Sequence, residues 1–343
     1  MRLALLLFIS VSLVACGSGG GAGADANATA DADTTNDARR IVDANVDQAD
    51  ASVTSVDCAS LPSAPSSQQM LDKPRGYHGL AITADGAMIG SDTNSLIKSS
   101  YDNVRTTFVP GIGAGEQMDW LPNGDLVFAT DDGSLTRITA AGGLVPIATD
   151  VFAYGVVLGP DNKIYAVGDW GSRIVRVDPT SGAKEVLLTY DFGKTVPHSI
   201  DFSPNGKRMY IGTIGDGSVW YVDFDDDMNI VGGQKKLATV LGDGQFDGWH
   251  DGVGVDACGN LYIPDYTSSS VYKVTPTGEV SLFSKHDSVS YPHGLIWGSG
   301  QHGWRADALY LPQPYNDNTV LELVIGVPSR DFTGEVLNKP AMK

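Results

Sequence analysis

The chain has 343 residues, with 41 acidic against 23 basic side chains and a formal net charge of −18. That length accommodates one large domain or two ordinary ones. The acidic balance excludes a nucleic-acid partner, because counterion release needs clustered Lys and Arg. No apolar run reaches the about 20 residues that a spanning helix needs.

Met1-Arg2 leads into an apolar run from Leu3 to Ala15, a basic start and short hydrophobic region that predict a signal peptide over residues 1–15. The four residues Leu13-Val14-Ala15-Cys16 resemble the lipobox of bacterial lipoproteins, which implies that Cys16 is the lipidated first residue of the mature chain. Gly17 in place of Asp points to the outer membrane. The expected location is therefore the cell envelope, with the membrane as a partner through the anchor. Residues 16–57 comprise this Cys and a run of Gly, Ala, Asp, Asn and Thr that predicts a flexible acidic tether, since it cannot bury enough apolar surface to offset its ordering entropy. The remaining thiols, Cys58 and Cys258, are expected to pair in an exported protein, the alternative being two separate thiols.

From residue 76 onward one pattern recurs: a small or polar residue, an apolar strand, a turn of Asn-Gly or Asp-Gly character, and a second apolar strand. The aligned turn residues are Gly86, Gly124, Asn162, Gly206 and Gly259, and a sixth copy from Tyr291 to Leu311 has a longer turn through Gly298-Ser299-Gly300. A third β-rich run follows each hairpin, and a fourth follows most of them. Four short strands per repeat without helical periodicity predict an all-β fold over residues 58–343, a six-bladed β-propeller of four-stranded blades. The ring can close in two ways. Either Gln68 to Leu71 supplies the outer strand of the last blade, or the stretch after Val324 does.

The residue eight positions before each aligned turn residue sits where the chain reaches the innermost strand. These are His78, Glu116, Tyr154, His198 and Asp251, with His293 equivalent in the sixth copy. Topologically equivalent residues of a ring converge at one end of its channel. Imidazole with carboxylate is a transition-metal ligand set, so Glu116, His198, His293, His78 and Asp251 are candidate ligands. Alternate blades stand about 120° apart, which groups Glu116, His198 and His293 as one possible three-ligand face. The opposing reading is that polar residues here merely cap strand ends and hold channel water. His286 and His302 fall outside the register and are expected on surface loops.

His250-Asp251-Gly252-Val253-Gly254-Val255-Asp256 through Gly259-Asn260-Leu261-Tyr262-Ile263-Pro264-Asp265, together with Val196 to Gly206, resembles the superfamily of senescence marker protein, gluconolactonase and luciferin-regenerating enzyme. The likeness covers about residues 60–343. It implies a six-bladed propeller and lactone hydrolysis around a metal, often calcium, held partly by the Asp that Asp251 matches. His198 stands at that family's Asn position and His78 at its first-blade Glu position, so nitrogen replaces hard oxygen and Zn or another transition metal is expected over Ca. Pro197-His198-Ser199-Ile200 and Pro292-His293-Gly294-Leu295 also resemble repeats of the peptidylglycine amidating lyase, which implies zinc held by histidines on alternate blades, although the third such position is Glu116 here.

The run Asp223 to Asn229 lacks the Gly and Glu of an EF-hand loop and is read as a solvated acidic hairpin in blade four. Residues 242–249 form an expected mouth loop, in which Trp249, with Tyr291, could wall a ligand or simply pack between blades. These readings combine into an exported divalent-metal hydrolase of a lactone or ester. Asp251 serves as ligand or general base, Tyr154 donates to the oxyanion, and the partner is a small-molecule substrate bound by a monomer. The alternative is a non-catalytic ligand- or protein-binding propeller lipoprotein.

Overall fold

The computed structural model describes residues 56–71, 78–92, 95–112, 114–130, 132–139, 142–168, 171–191, 195–241, 248–286, 291–316 and 318–330, with the backbone alone at 92 and 114–116. The signal peptide, Cys16 and the tether through residue 55 lie outside the described residues, as do residues 242–247 of the mouth loop.

Twenty-four strands among the described residues form six four-stranded antiparallel sheets. In chain order they are β1 (Ser67–Leu71), then β2 (Leu80–Ile82), β3 (Ala87–Asp92), β4 (Ser95–Ser100) and β5 (Arg105–Pro110) as blade 1. Blade 2 holds β6 (Ala114–Trp120), β7 (Leu126–Thr130), β8 (Leu135–Ile138) and β9 (Leu144–Ala148). Blade 3 holds β10 (Val156–Leu158), β11 (Ile164–Gly168), β12 (Arg173–Val177) and β13 (Lys184–Thr189). Blade 4 holds β14 (Val196–Phe202), β15 (Arg208–Ile214), β16 (Ser218–Phe224) and β17 (Ile230–Thr239). Blade 5 holds β18 (Gly254–Val255), β19 (Leu261–Asp265), β20 (Ser270–Val274) and β21 (Val280–Lys285). Blade 6 holds β22 (Ile296–Trp297), β23 (Ala308–Gln313) and β24 (Thr319–Val324), completed by β1.

Of the two closures open to the sequence, the first is found. β1 runs antiparallel to β24, with Met70 opposite Leu321 and Ser67 opposite Val324. The segment before β1 is tied to blade 5 by a disulfide between Cys58 and Cys258, across 200 residues of chain.

The repeated turn has a backbone reason. Gly86, Gly124, Asn162, Gly206 and Gly259 all take positive φ, between 58° and 83°. Each donates its N–H to the carbonyl three residues earlier, as Gly206 does to Ser203 at 2.8 Å. That left-handed conformation costs glycine nothing and asparagine little.

The core is divided among the blade interfaces. Six apolar clusters each join two neighbouring blades, one uniting Ile89 and Leu96 of blade 1 with Trp120 and Phe128 of blade 2, and another uniting Tyr262 and Val271 of blade 5 with Leu309 and Leu323 of blade 6. Burying each such side chain contributes about 1.5–3 kcal/mol relative to exposure. Two aspartates add polar staples. Asp119 accepts Leu158 N of blade 3 at 2.7 Å, and Asp201 of blade 4 accepts Val255 N of blade 5 at 2.8 Å. Asp201 also receives Arg330 Nε at 2.6 Å, which fixes the C-terminal end of the described chain across one end of the channel. At that end Trp120, Trp297 and Arg330 line a cavity of about 160 Å³. The run Asp223 to Asn229 covers the end of β16 and the turn into β17, where Asp225 accepts the N–H groups of Asp227 and Asn229, as an acidic hairpin should.

Candidate functional site

The other end of the channel carries the ring expected from the repeats. Each of these residues lies just before or within the innermost strand of its blade, so the propeller brings them together. The pairing of β14 with β15 slips between Pro197 and Ser199, leaving His198 as the extra residue of a bulge. Bulges re-aim side chains, and this one faces His198 inward against Asp251. The register of β6 against β7 shifts likewise between Ala114 and Met118, around Glu116. The Glu116 side chain lies outside the described residues.

Asp251 is the centre of the cluster. It is 3% exposed, with His198 at 4% and His293 at 6%. Its Oδ1 lies 3.6 Å from His198 Nδ1, and its Oδ2 lies 3.3 Å from His293 Nε2. The carboxylate thus sits between imidazoles from the blades on either side of its own. His198, Asp251 and His293 belong to consecutive blades, and the aspartate reaches both neighbours. His78 stacks on His293 with ring centroids 4.6 Å apart and planes 9° from parallel. Tyr154 stacks on His198 at 4.4 Å.

Proton positions follow from the partners. His293 Nδ1 lies 2.9 Å from the Tyr291 carbonyl, which can only accept, so Nδ1 carries the hydrogen. Burial lowers His293 to about 4. Burial, followed by the repulsion of the other imidazoles, lowers His78 and His198 to about 3 each. At neutral pH the bare Nε2 of His293 therefore faces a carboxylate oxygen. Two acceptors at 3.3 Å repel unless a proton or a cation lies between them.

Two imidazoles and one carboxyl group are side chains that can ligate a divalent ion. The described residues do not complete such a site: among them no three His, Cys, Asp or Glu side chains stand so as to hold one ion. Beneath the cluster, His78, Gln117, Met118 and Pro312 line a cavity of about 30 Å³, enough for a single water, which needs about 10–15 Å³.

His250 takes a different role from its neighbour. It is fully buried, and its Nε2 lies 3.1 Å from the Val240 carbonyl, so the ring packs between blades 4 and 5. His302 is exposed, as its place outside the register implied, and His286 is half-buried.

Sequence reasoning missed the aromatic rings beside the cluster. Tyr266 lies 5.1 Å from His293, and Tyr315 lies 5.6 Å from it, centroid to centroid. Tyr266 meets Trp249 at 5.7 Å and Tyr291 at 5.0 Å. A signal existed, since Pro264-Asp265-Tyr266 and Pro312-Gln313-Pro314-Tyr315 both place a tyrosine just past the second strand of adjacent blades.

Residues 155–287 match the family described as SMP-30/Gluconolactonase/LRE-like region, so the middle of the chain carries the resemblance expected from blades 4 and 5. No curated protein matches the sequence. Among solved structures, a calcium-binding protein, regucalcin, from Agrobacterium tumefaciens superposes with a TM-score of 0.63 at 17% identity, covering 78% of this chain and 96% of that one. A gluconolactonase from Xanthomonas campestris gives 0.60 at 14% identity, covering 76% and 89%. An auxiliary nutrient binding protein from Bacteroides thetaiotaomicron gives 0.57 at 12% identity, covering 73% and 69%. At these identities the likeness is one of fold.

Proposed function

We propose that this chain is a hydrolase of lactones or esters acting at the Asp251 end of the propeller channel. The observation that carries the reading is the buried carboxylate held between two neutral imidazoles at a channel mouth, in a fold shared with a gluconolactonase. Asp251 takes the proton of the attacking water as general base. The water oxygen adds to the acyl carbon, the ring or ester C–O bond breaks, and the proton passes to the departing oxygen to give the hydroxy acid, or the acid and alcohol. His198 and His293 flank the two oxygens of Asp251, and His293 is itself oriented by the Tyr291 carbonyl. Tyr154, which stacks on His198, donates its hydroxyl to the developing oxyanion. A divalent ion held by Glu116 together with His198 and His293 would supply Lewis-acid polarisation of the carbonyl. The nitrogen content favours zinc or another transition metal over calcium.

The same reading makes the protein a monomeric lipoprotein anchored at Cys16 in the outer membrane, hydrolysing a small molecule at the cell envelope. The likeness to a nutrient binding protein favours the second reading, a propeller that binds its ligand without turnover. Elemental analysis of the purified full chain, wild type beside His198→Ala/His293→Ala, together with a lactone and ester panel, separates the two. Stoichiometric transition metal lost in the variant, with turnover, supports the hydrolase. Calcium alone contradicts the metal assignment, and ligand binding without turnover supports the second reading. Palmitate incorporation into wild type and not into Cys16→Ser tests the anchor.

A further inference from the structure

We propose that Trp249, Tyr266, Tyr291 and Tyr315 form a subsite for an uncharged aromatic ring of the ligand, on the blade 5 and blade 6 side of the Asp251 cluster. The proposal deepens the hydrolase reading and rests on it only for what happens after binding. The four rings are contiguous: Tyr266 to Tyr291 is 5.0 Å, Tyr266 to Tyr315 is 6.1 Å, Tyr291 to Tyr315 is 6.0 Å and Trp249 to Tyr266 is 5.7 Å. Tyr315 continues onto His293 at 5.6 Å, so the surface leads to the reacting groups.

Two of the rings are open to solvent, Trp249 at 41% and Tyr315 at 56%. Exposed aromatics gathered at one site mark binding surfaces more than scattered ones do. The backbone is also held unfavourably there. Tyr291 has φ 37° directly before Pro292, and Ser269, whose hydroxyl receives Tyr291 N at 3.4 Å, has φ 49°. Non-glycine residues in that region carry strain, which concentrates at functional sites, and here it sets the Tyr291 ring among its neighbours.

The inclinations choose the ligand class. Tyr291 and Tyr315 meet at 89°, Tyr266 and Tyr315 at 69°, and Trp249 and Tyr266 at 51°. Tyr266 and Tyr291, 31° apart, form a shelf that Tyr315 and Trp249 turn into corners, so the surface is not one flat plate. A corner offers one ring face and one ring edge, the arrangement in which a third aromatic ring finds both stacked and edge-to-face contacts. A sugar ring needs fixed polar groups beside its stacking face, and the neighbouring carboxylate, Asp265, is committed to Trp249 N, Thr267 and Ser268. The net charge of −18 disfavours an anionic ring.

The test uses two unreactive lactams, 3,4-dihydro-2-quinolinone, which carries a fused benzene ring, and δ-valerolactam, which does not. Calorimetry on the full chain measures their affinity ratio. Wild type should prefer the quinolinone. Trp249→Ala and Tyr315→Ala should each lower the preference about tenfold, from loss of one aromatic contact with its buried area, and Tyr315→Phe should retain it. Both residues are exposed enough that the alanine variants should fold. Equal affinity for the two lactams in wild type, no binding of either, or a preference untouched by both alanine variants would overturn the subsite. The lactones dihydrocoumarin and δ-valerolactone then probe turnover separately. Selective lactam binding with neither lactone hydrolysed leaves the subsite standing and removes the hydrolase reading.

Discussion

Mild acid should weaken this fold before its carboxylates begin to protonate. His78, His198 and His293 are held near 3, 3 and 4 in the folded protein, against 6.5 when free. The unfolded chain therefore takes up three protons below about pH 6.5 that the folded chain refuses, so stability rises with pH across this window and is lost as pH falls. From pH 7 to pH 5.5 each imidazole should cost on the order of 1 kcal/mol, and the three together about 3–4 kcal/mol, the slope for each group approaching 1.36 kcal/mol per pH unit. His250, also lowered by burial, acts in the same direction. The assay is urea unfolding of chelator-treated protein at half-unit steps between pH 7 and 5.5, with His78→Asn beside wild type. The variant should lose about 1 kcal/mol less over the interval. Stability that stays level from pH 7 to 5.5 would refute the reasoning and mean that Asp251 stabilises an imidazolium in the folded state.

Other perturbations follow from the closure and the core. Replacing Cys58 and Cys258 with serine should cost up to about 5 kcal/mol, the chain-entropy limit for a loop of this length, read from urea midpoints with and without reductant for wild type. Arg330→Ala removes one partner of a half-buried ion pair with Asp201, and should cost about 1.5–3 kcal/mol, the range for a hydrogen bond to a charged group. The same measurement on Phe128→Ala should show a loss of about 3–5 kcal/mol, from the void left between blades 1 and 2.

The architecture was readable because a propeller states it six times. The positive-φ turns at Gly86, Gly124, Asn162, Gly206 and Gly259 recur in sequence for a backbone reason, and counting back from them located the channel mouth. Within the ring, the sequence could not say which members touch. The contacts join His198, Asp251 and His293 on successive blades, since side-chain reach and the bulge at His198 decide what meets. The direction of His250 was equally invisible, because one residue of displacement from Asp251 turns a ring from the channel to the blade interface. Tyr266 and Tyr315 went unread because they follow the second strands, where no repeat register had been drawn. The closure by β1 needed the pairing itself, as both termini offered suitable strands.

The most direct measurement is initial-rate hydrolysis of a lactone and ester panel by wild type and Asp251→Asn, with folding of the variant checked by thermal unfolding. The account predicts turnover by wild type and a loss of at least about a hundredfold in kcat for the variant, the scale of a removed general base. Equal rates in the two proteins, or no turnover by a folded, metal-supplemented wild type, would contradict it.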